Sequence, residues 1–453
     1  MAGTVRLASV TRSTSVMRLR ESLESLLAKW MILRSITMKF DKTPLFVALR
    51  ASTKWSDTVI TEAPELETPD DLCGFTLPEV HKKTVLPRNG GPLARFVIAN
   101  IKSTQTAGLV VLIHHVLVDA LSLASLREDL EQLLGGTEIE PPTSYKLFAD
   151  MFYQHQQSLP AQVGVEFYAT RFRGVGSLQD AVWPPQRCPG WLIGDDAGWQ
   201  PPPGYKHSGR KQIDNDGGRA GLAGIQHHTR VEYLANLVQT HHISEPIVFK
   251  AACALVNMRH TGQSEAFFMN TQAGRQWPFM NPAVAEYLPN PVTIAGNTMA
   301  LVPNRVKVDQ DQTVGDLLRQ MEQEQRLLTE HAHAPVASIK SQLDSDDLRI
   351  FEQVQRQVVN WSPNTRGMVA REAEAELPVV NAEMYIDVIV NWHCAMLDEK
   401  TARVMVQWDG CQVGQEEVDS WAREFIVALE WLADPAHWDS TIKESPLNTS
   451  GAI

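Results

Sequence analysis

The sequence predicts an α/β protein of the α+β two-layer type that is divided into two lobes. The chain has 453 residues, which is more than one hydrophobic core usually serves. Strand-like and helix-like apolar patterns alternate in two stretches, residues 1–160 and residues 229–453. Between them, residues 161–228 are rich in Gly, Pro and Asp, which predicts a loose connecting segment or insertion rather than part of a core.

In the first stretch, the N-terminus is expected to be a loose start that runs into the first helix, with Met17, Leu19 and Leu23 on an apolar stripe. The residues that follow alternate or form short apolar runs, which predicts strands, and a central strand is expected at 107–114. The predicted helices are 17–31, 145–156 and 162–172, and the predicted strands are 33–40, 46–49, 93–101 and 107–114.

In the second stretch, the run PIVFKAACALVNMRH is apolar on nearly all sides, which predicts a buried helix over 246–260. Other helices are predicted at 229–240, 313–332 and 415–432. Strands are predicted at 266–271, 298–308, 358–361, 385–392 and 402–408.

Composition excludes several classes of function. The net charge of −12 and the pI of about 5.6 argue against a nucleic-acid surface. No apolar stretch is long enough to span a bilayer, so no membrane partner is expected. Five widely spaced cysteines form no CxxC or Cys/His cluster, which predicts reduced thiols, no metal site and a cytoplasmic location.

The strongest chemical signal lies in LVVLIHHVLVDALSLASLREDLEQLL, residues 109–134. An apolar strand ends in His114 and His115, and Asp119 follows in a short loop before an amphipathic helix. A neutral imidazole accepts a proton near neutral pH, and a nearby carboxylate fixes its ring or its loop. The alternative is a pair of core histidines at the end of a strand, and the spacing alone does not decide between the two.

Five motifs in order give the chain a resemblance to the condensation domains of nonribosomal peptide synthetases, in the superfamily of chloramphenicol acetyltransferase and the HxxxD acyltransferases. Besides the histidine motif at 113–122, they are LAKWMILRS at 27–35, a helix motif with Tyr145, Phe148 and Ala149, the strand motif IAGNTMALVPNR from 294 to 305, and HAHAP at 331–335. The family's N-terminal Ser-x-Ala-Gln-x-Arg motif and a DFGWG motif are both absent from the sequence.

The resemblance implies two acetyltransferase-like lobes in a V, with a substrate tunnel between them. It implies that His115 and Asp119 are the catalytic residues and that Asp119 pairs with Arg305. His114, Ala120 and Ser122 would support the site, with Ala120 standing where the family usually has Gly. The residues expected to line the tunnel are Asn297, Ala300, His333, Trp361, Asn391 and His393.

Three functions remain open from the sequence. The first is a stand-alone acyltransferase of secondary metabolism that forms an amide or ester from an acyl thioester and an amine or alcohol. Its thioester would be carried in trans on the 4′-phosphopantetheine of a carrier protein or on CoA, with no permanently bound cofactor, and a monomer is expected. The second is a cyclase in the same fold, which needs no thioester. The third is a non-catalytic carrier-binding domain, in which His115 is dispensable.

Overall fold

The computed structural model describes residues 4–41, 43–74, 90–187, 223–275, 291–362, 375–385, 388–410 and 412–449. In this part of the chain the strands are β1 (Thr4–Val10), β2 (Ser35–Phe40), β3 (Thr43–Ala48), β4 (Ile60–Glu62), β5 (Ala94–Ile101), β6 (Thr106–His114), β7 (Thr143–Ser144), β8 (Ala223–Arg230), β9 (Glu265–Gln272), β10 (Ile294–Ala295), β11 (Ala300–Lys307), β12 (Gln357–Ser362), β13 (Val379–Tyr385), β14 (Val390–Met396) and β15 (Thr401–Trp408).

The α-helices of the same ranges are α1 (Val16–Lys29), α2 (Thr53–Val59), α3 (Pro69–Gly74), α4 (Ala120–Leu134), α5 (Tyr145–Gln156), α6 (Leu159–Phe172), α7 (Leu234–His241), α8 (Glu245–Thr261), α9 (Val314–Glu330), α10 (Val336–Ser341), α11 (Ser345–Gln353), α12 (Gln415–Ala433) and α13 (Pro446–Thr449). Mixed strands and helices confirm the predicted α/β class.

The N-terminal sheet has the strand order β13-β1-β6-β5-β4. Helices α1 and α4 cover one face, where Leu23 and Leu126 share a core cluster with Phe96 and Val111 of the strands. A smaller cluster around Val110 closes the other face. Strand β6, at the centre, is therefore buried on both faces, which explains its nearly continuous apolar sequence.

Strand β1 corrects the expectation of a loose N-terminus. It lies inside the sheet, between β6 and β13. Because both faces of this sheet are covered, Val5 and Leu7 enter one core cluster and Ala8 and Val10 enter the other. The charged residue that obscures this pattern is Arg6, which is buried and donates to the Leu72 carbonyl oxygen at 3.1 Å.

The C-terminal sheet has the strand order β11-β9-β12-β14-β15-β8. Helices α8 and α12 pack on what is here called its first face, where Phe249 and Phe425 join Trp392, Val404 and Val406 in the largest core cluster. The opposite side is called the second face. Over β9 and β11 the second face is covered by α6 and α11, through an apolar cluster that includes Phe267.

Three elements depart from the predicted division of the chain. Helix α6 falls in the predicted connecting segment, yet its buried residues pack on the C-terminal sheet. The predicted helix 229–240 is strand β8 followed by the shorter helix α7. The predicted strand 385–392 is two strands: β13 pairs with β1 in the N-terminal sheet, and β14 lies in the C-terminal sheet. Most of the predicted connection, residues 188–222, lies outside the described residues.

Candidate active site

His115 lies in the turn that joins strand β6 to helix α4. The strand ends at His114, whose backbone N–H donates to the Leu93 carbonyl oxygen at 2.8 Å. The Nδ1 atom of His114 accepts a hydrogen bond from the Val116 backbone N–H at 3.1 Å. The ring of the buried His114 thus stabilises the turn. The next residue, His115, is only partly covered.

The imidazole of His115 is held as a neutral base. Burial lowers its pKa, and two backbone carbonyl groups, of His115 and Val118, oppose this only in part, as does the charge of Asp119. A ring N–H that is given to a carbonyl oxygen leaves the other ring nitrogen with a free lone pair. The turn is also anchored from the second half of the chain, because Asn297 Nδ2 donates to the His115 carbonyl oxygen at 2.7 Å.

Asp119 is the N-cap of helix α4. Its Oδ1 accepts hydrogen bonds from the backbone N–H and the hydroxyl of Ser122 at 2.8 and 2.9 Å, and its own N–H donates to that hydroxyl at 2.9 Å. This reciprocal pair is a capping box, with Asp119 as the N-cap and Ser122 as the third residue of the helix. Ala120 is the exposed first residue of the helix.

The ion-pair partner of Asp119 is Arg275, and the predicted pairing with Arg305 was wrong. Arg275 Nη2 lies 2.8 and 2.9 Å from the two carboxylate oxygens, and both side chains are 5% exposed. Thr298 adds its backbone N–H at 3.0 Å and its hydroxyl at 3.2 Å. Asp119 therefore ties α4 to two segments of the C-terminal half and acts as a positioning residue for the turn that carries His115.

Arg305 lies elsewhere because of the register of β11. This strand runs antiparallel to β9, so its last residues lie at the end of β9 that is far from Arg275. Arg305 pairs there with Glu265, with 2.5 Å between Nε and Oε2. It lines a surface groove of about 740 Å³, together with Arg171 and Glu324. A local signal for Arg275 does exist, since Gly274 precedes it directly after a strand.

Gly274 has no room for a side chain, and we expect Gly274→Ala to damage the site. Its φ is +63°, and an added Cβ would lie 1.7 Å from the carbonyl oxygen of Thr298. Overpacking costs about 1–3 kcal/mol, and left-handed backbone costs a non-glycine residue about 1–2 kcal/mol more. Arg275, which follows Gly274, and Thr298 both bind Asp119. Activity should therefore fall together with the melting temperature. Gly262→Ala, at φ +67° with nothing near the added Cβ, is the matched control, and equal losses in the two variants would contradict the prediction.

Tyr145 and Gly296, which the sequence motifs singled out, are in contact. An added Cβ at Gly296 would lie 2.1 Å from Cδ2 of Tyr145, so glycine is needed for the ring to approach the backbone. Burial raises the pKa of Tyr145 to about 12, and the negative charge of Asp119 adds to the effect. The phenol therefore stays protonated beside the ion pair of Asp119 and Arg275.

Two of the predicted tunnel residues have the contacts of core residues. Ala300 is buried in the cluster of α6 and α11, and Trp361 packs on Phe249 with 4.9 Å between ring centroids. His333 is buried beside Phe152, 5.6 Å away in an edge-to-face arrangement. Burial lowers the pKa of His333 to about 4, so its ring is neutral at physiological pH.

Asn391 and His393 belong to a hydrogen-bonded row on the second face of the C-terminal sheet. This row, called the polar row, crosses four strands through Thr271, Asn360, His393 and Gln407. Gln407 Oε1 lies 2.7 Å from Nε2 of His393, and Asn360 Nδ2 lies 3.1 Å from Nδ1. The side-chain amide of the buried Asn391 joins the row, 2.7 Å from Nε2 of His393. The sequence named both side chains, although the row itself depends on sheet register and was not predictable.

A search for metal-binding side chains among the described residues finds no group of three or more His, Cys, Asp or Glu that could hold an ion. Likewise, within these ranges, no helix combines the length and hydropathy that crossing a membrane requires. The cysteines Cys253 and Cys394 are free and buried.

Comparison with protein families gives a match to the condensation domain over residues 7–376. Nonribosomal peptide synthetase 4 of Gibberella zeae is 26% identical over 270 residues, which is 58% of this chain and 3% of the synthetase. Nonribosomal peptide synthetase ungA of Aspergillus violaceofuscus is 24% identical over 377 residues, which is 82% of this chain and 3% of the synthetase. The chain thus spans a small part of the length of these relatives.

Solved structures share the fold at low sequence identity. The condensation domain of the monacolin K polyketide synthase MokA has a TM-score of 0.66 at 13% identity, covering 97% of this chain and 93% of that domain. The X-domain from teicoplanin biosynthesis has a TM-score of 0.64 at 15% identity, covering 98% and 92%. The structural similarity extends over nearly the whole chain, and at these sequence identities it concerns the fold alone.

Proposed function

The chain belongs to the condensation-domain family, and we propose that it is an acyltransferase of secondary metabolism. In this proposal it joins an acyl thioester to an amine or alcohol and forms an amide or ester. The observation that carries the proposal is the setting of His115. Burial keeps its ring neutral near pH 7, and its turn is fixed by Asn297 and by the ion pair of Asp119 with Arg275.

Each group has a part in the proposed reaction. In this scheme a ring nitrogen of His115 takes the proton of the attacking amine or hydroxyl as the new bond to the thioester carbonyl forms. When the tetrahedral intermediate collapses, the C–S bond breaks and the proton passes to the departing thiolate. Asp119 and Arg275 touch no reacting atom in this scheme, because their atoms are engaged in holding helix α4 and the turn.

The acyl group would arrive on the phosphopantetheine arm of a carrier domain or on CoA. The relatives are nonribosomal peptide synthetases, and the resemblance to their condensation domains implies an acyl group carried as a thioester. A carrier domain and a small-molecule acceptor are therefore the partners that we propose. In the family's architecture they would approach His115 through a tunnel between the two lobes.

The test is transfer by the purified protein, followed by mass spectrometry. Acyl thioesters of N-acetylcysteamine, of CoA and of a carrier protein are offered with a panel of amines and alcohols. We expect a new amide or ester, and a loss of about a hundredfold or more in His115→Ala, as for removal of a general base. His437→Ala, at a partly buried histidine away from the site, is the matched control.

Other outcomes distinguish the alternative functions. If the protein forms a ring in a substrate that contains no thioester, it is a cyclase and not an acyltransferase. A folded protein that binds a carrier protein, consumes no thioester and behaves identically after His115→Ala would have the third, non-catalytic function.

The pH dependence of transfer follows from the direction of the His115 shift. Burial lowers the pKa of this imidazole, so protonation removes the base only below its ordinary value of about 6.5. We expect kcat/KM to be flat near pH 7 and to fall with one acid limb centred below pH 6.5. An acid limb centred above that value would show that a different group, or a protonated histidine, controls the reaction.

A further inference from the structure

Alternation along β15 leaves one row of side chains on the second face of the C-terminal sheet. Val404 and Val406 are buried in the core of the first face, whereas Arg403, Met405 and Gln407 are partly covered and point the other way. In the paired strands, His228 lies directly opposite Arg403 on β8. This surface continues into the polar row across β14 and β12.

The ionisable side chains within the strands of this surface are basic. Strands β8, β12, β14 and β15 contain no Asp or Glu at any position. They do contain Arg403, His228 and His393 on the second face, and the exposed Arg230 at the end of β8 has its own partner, Glu232, at 3.1 Å. Four adjacent strands without an acidic residue are unexpected in a chain whose net charge is −12, and they favour an anionic ligand on this face.

Arg403 is the group in this patch that lacks a partner. In the part of the chain that the structure describes, its guanidinium makes no hydrogen bond or ion pair, and the Nε atom is buried without an acceptor. Arg171 and Arg305, which are also partly buried, have acidic partners, Glu324 and Glu265. A buried donor without an acceptor is destabilising, whereas a ligand oxygen would satisfy it.

The neighbouring His393 adds no positive charge of its own. With Nε2 donating to Gln407 Oε1 and Nδ1 accepting from Asn360, the ring is satisfied as a neutral imidazole. Burial lowers the pKa of His393 to about 4, and the charge of Arg403 pushes it the same way. The positive charge near the polar row is therefore concentrated on Arg403.

Arg403 lies at the end of the sheet that also carries Arg275 to the active site. Strands β9, β12 and β14 are parallel, so their last residues share one end. Arg403 pairs with Ala395 near the end of β14, and Arg275 follows the end of β9. The order β9-β12-β14-β15 separates them by three strand spacings, or about 14 Å at ~4.8 Å each. An extended substrate can span that distance.

We propose that Arg403, flanked by His228 and the polar row, binds the anionic end of a substrate whose other end reacts at His115. The anion is a carboxylate of the acceptor or the phosphate of a pantetheine-type donor, both of which match a guanidinium. The choice of these two substrates rests on the proposed acyl transfer. The anion site itself is inferred from the charges and contacts of the sheet.

Binding to the His115→Ala protein tests the site without turnover, by titration calorimetry. One arm compares 4′-phosphopantetheine with pantetheine, and the other compares α-amino acids with their primary amides. We expect at least one anionic probe to bind on the order of tenfold more tightly than its neutral counterpart, with a preference that weakens as salt is added. Arg403→Gln should abolish the preference and Arg403→Lys should keep part of it.

Arg319→Gln is the control, because it removes the same charge from a side chain that is already paired with Asp316. Equal binding of charged and neutral probes, no binding of any anionic probe, or an unchanged preference in folded Arg403→Gln would each overturn the proposal. Failure of acyl transfer with an intact anion preference would instead count against the proposed function alone.

Discussion

Replacing Arg275 with glutamine is expected to destabilise the protein by about 3–5 kcal/mol and to abolish transfer, because it leaves the carboxylate of Asp119 buried without its ionic partner. Both side chains are 5% exposed, so water cannot replace the guanidinium. Arg275 also donates to the carbonyl oxygens of Pro291 and Ile294, which would lose their donor in the same variant. Chemical denaturation gives the stability, and the transfer assay gives the activity.

Arg305→Gln is the informative comparison, since Arg305 was the partner that the sequence motifs indicated. Arg305 pairs with Glu265, so this variant should lose stability but keep kcat in the molecules that remain folded. A double-mutant cycle completes the test. Asp119→Asn should recover part of the stability lost in Arg275→Gln, because it removes the unpaired charge, and should recover none in Arg305→Gln. The reverse pattern would show that Asp119 pairs with Arg305, as the sequence motifs indicated.

The two arginines show what the sequence can and cannot provide. The resemblance to the family's strand motif implied Arg305, and nothing in the sequence states which way a side chain of that strand points. The pairing of β9 with β11 determines which arginine reaches Asp119. It places Gln272 beside Ala300 and so brings Arg275 close to Thr298. Strand register is a property of two distant segments together, whereas the turn with the two histidines between a strand and a helix is local and was readable from the sequence.

The fold shows the same division between local and distant information. The predicted strand at 107–114 and helix at 246–260 agree with β6 and α8, because each has a long apolar pattern of its own. Strand β1 was missed because it is buried on both faces, so its sequence does not alternate between apolar and polar residues. The buried Arg6 also places a charge within the strand. The pairing of β13 with β1 joins residues near opposite ends of the chain, and no local pattern carries that information.

Stability between pH 7 and pH 9 is expected to rise by about 2 kcal/mol more in the wild type than in Lys250→Met. Lys250 is buried in helix α8, where it donates to Asn304 Oδ1 at 3.1 Å and to Gln325 Oε1. Burial lowers its pKa from 10.5 to about 7, although the charges of nearby acids, Glu324 first among them, oppose the shift. Between these two values the unfolded chain binds a proton that the folded protein does not.

The sign follows from that difference in bound protons. Raising the pH through this window removes the advantage of the unfolded state, so the free energy of unfolding increases, and lowering the pH toward 7 decreases it. Lys250→Met has no proton to bind and should lack this component, although it leaves two amide oxygens without their donor and changes stability at every pH. Lys307→Met, at an exposed lysine of β11, is the control for losing one positive charge. Urea unfolding at pH 7, 8 and 9 measures all three proteins, and parallel pH dependence of the wild type and Lys250→Met would show that Lys250 is charged in the folded protein.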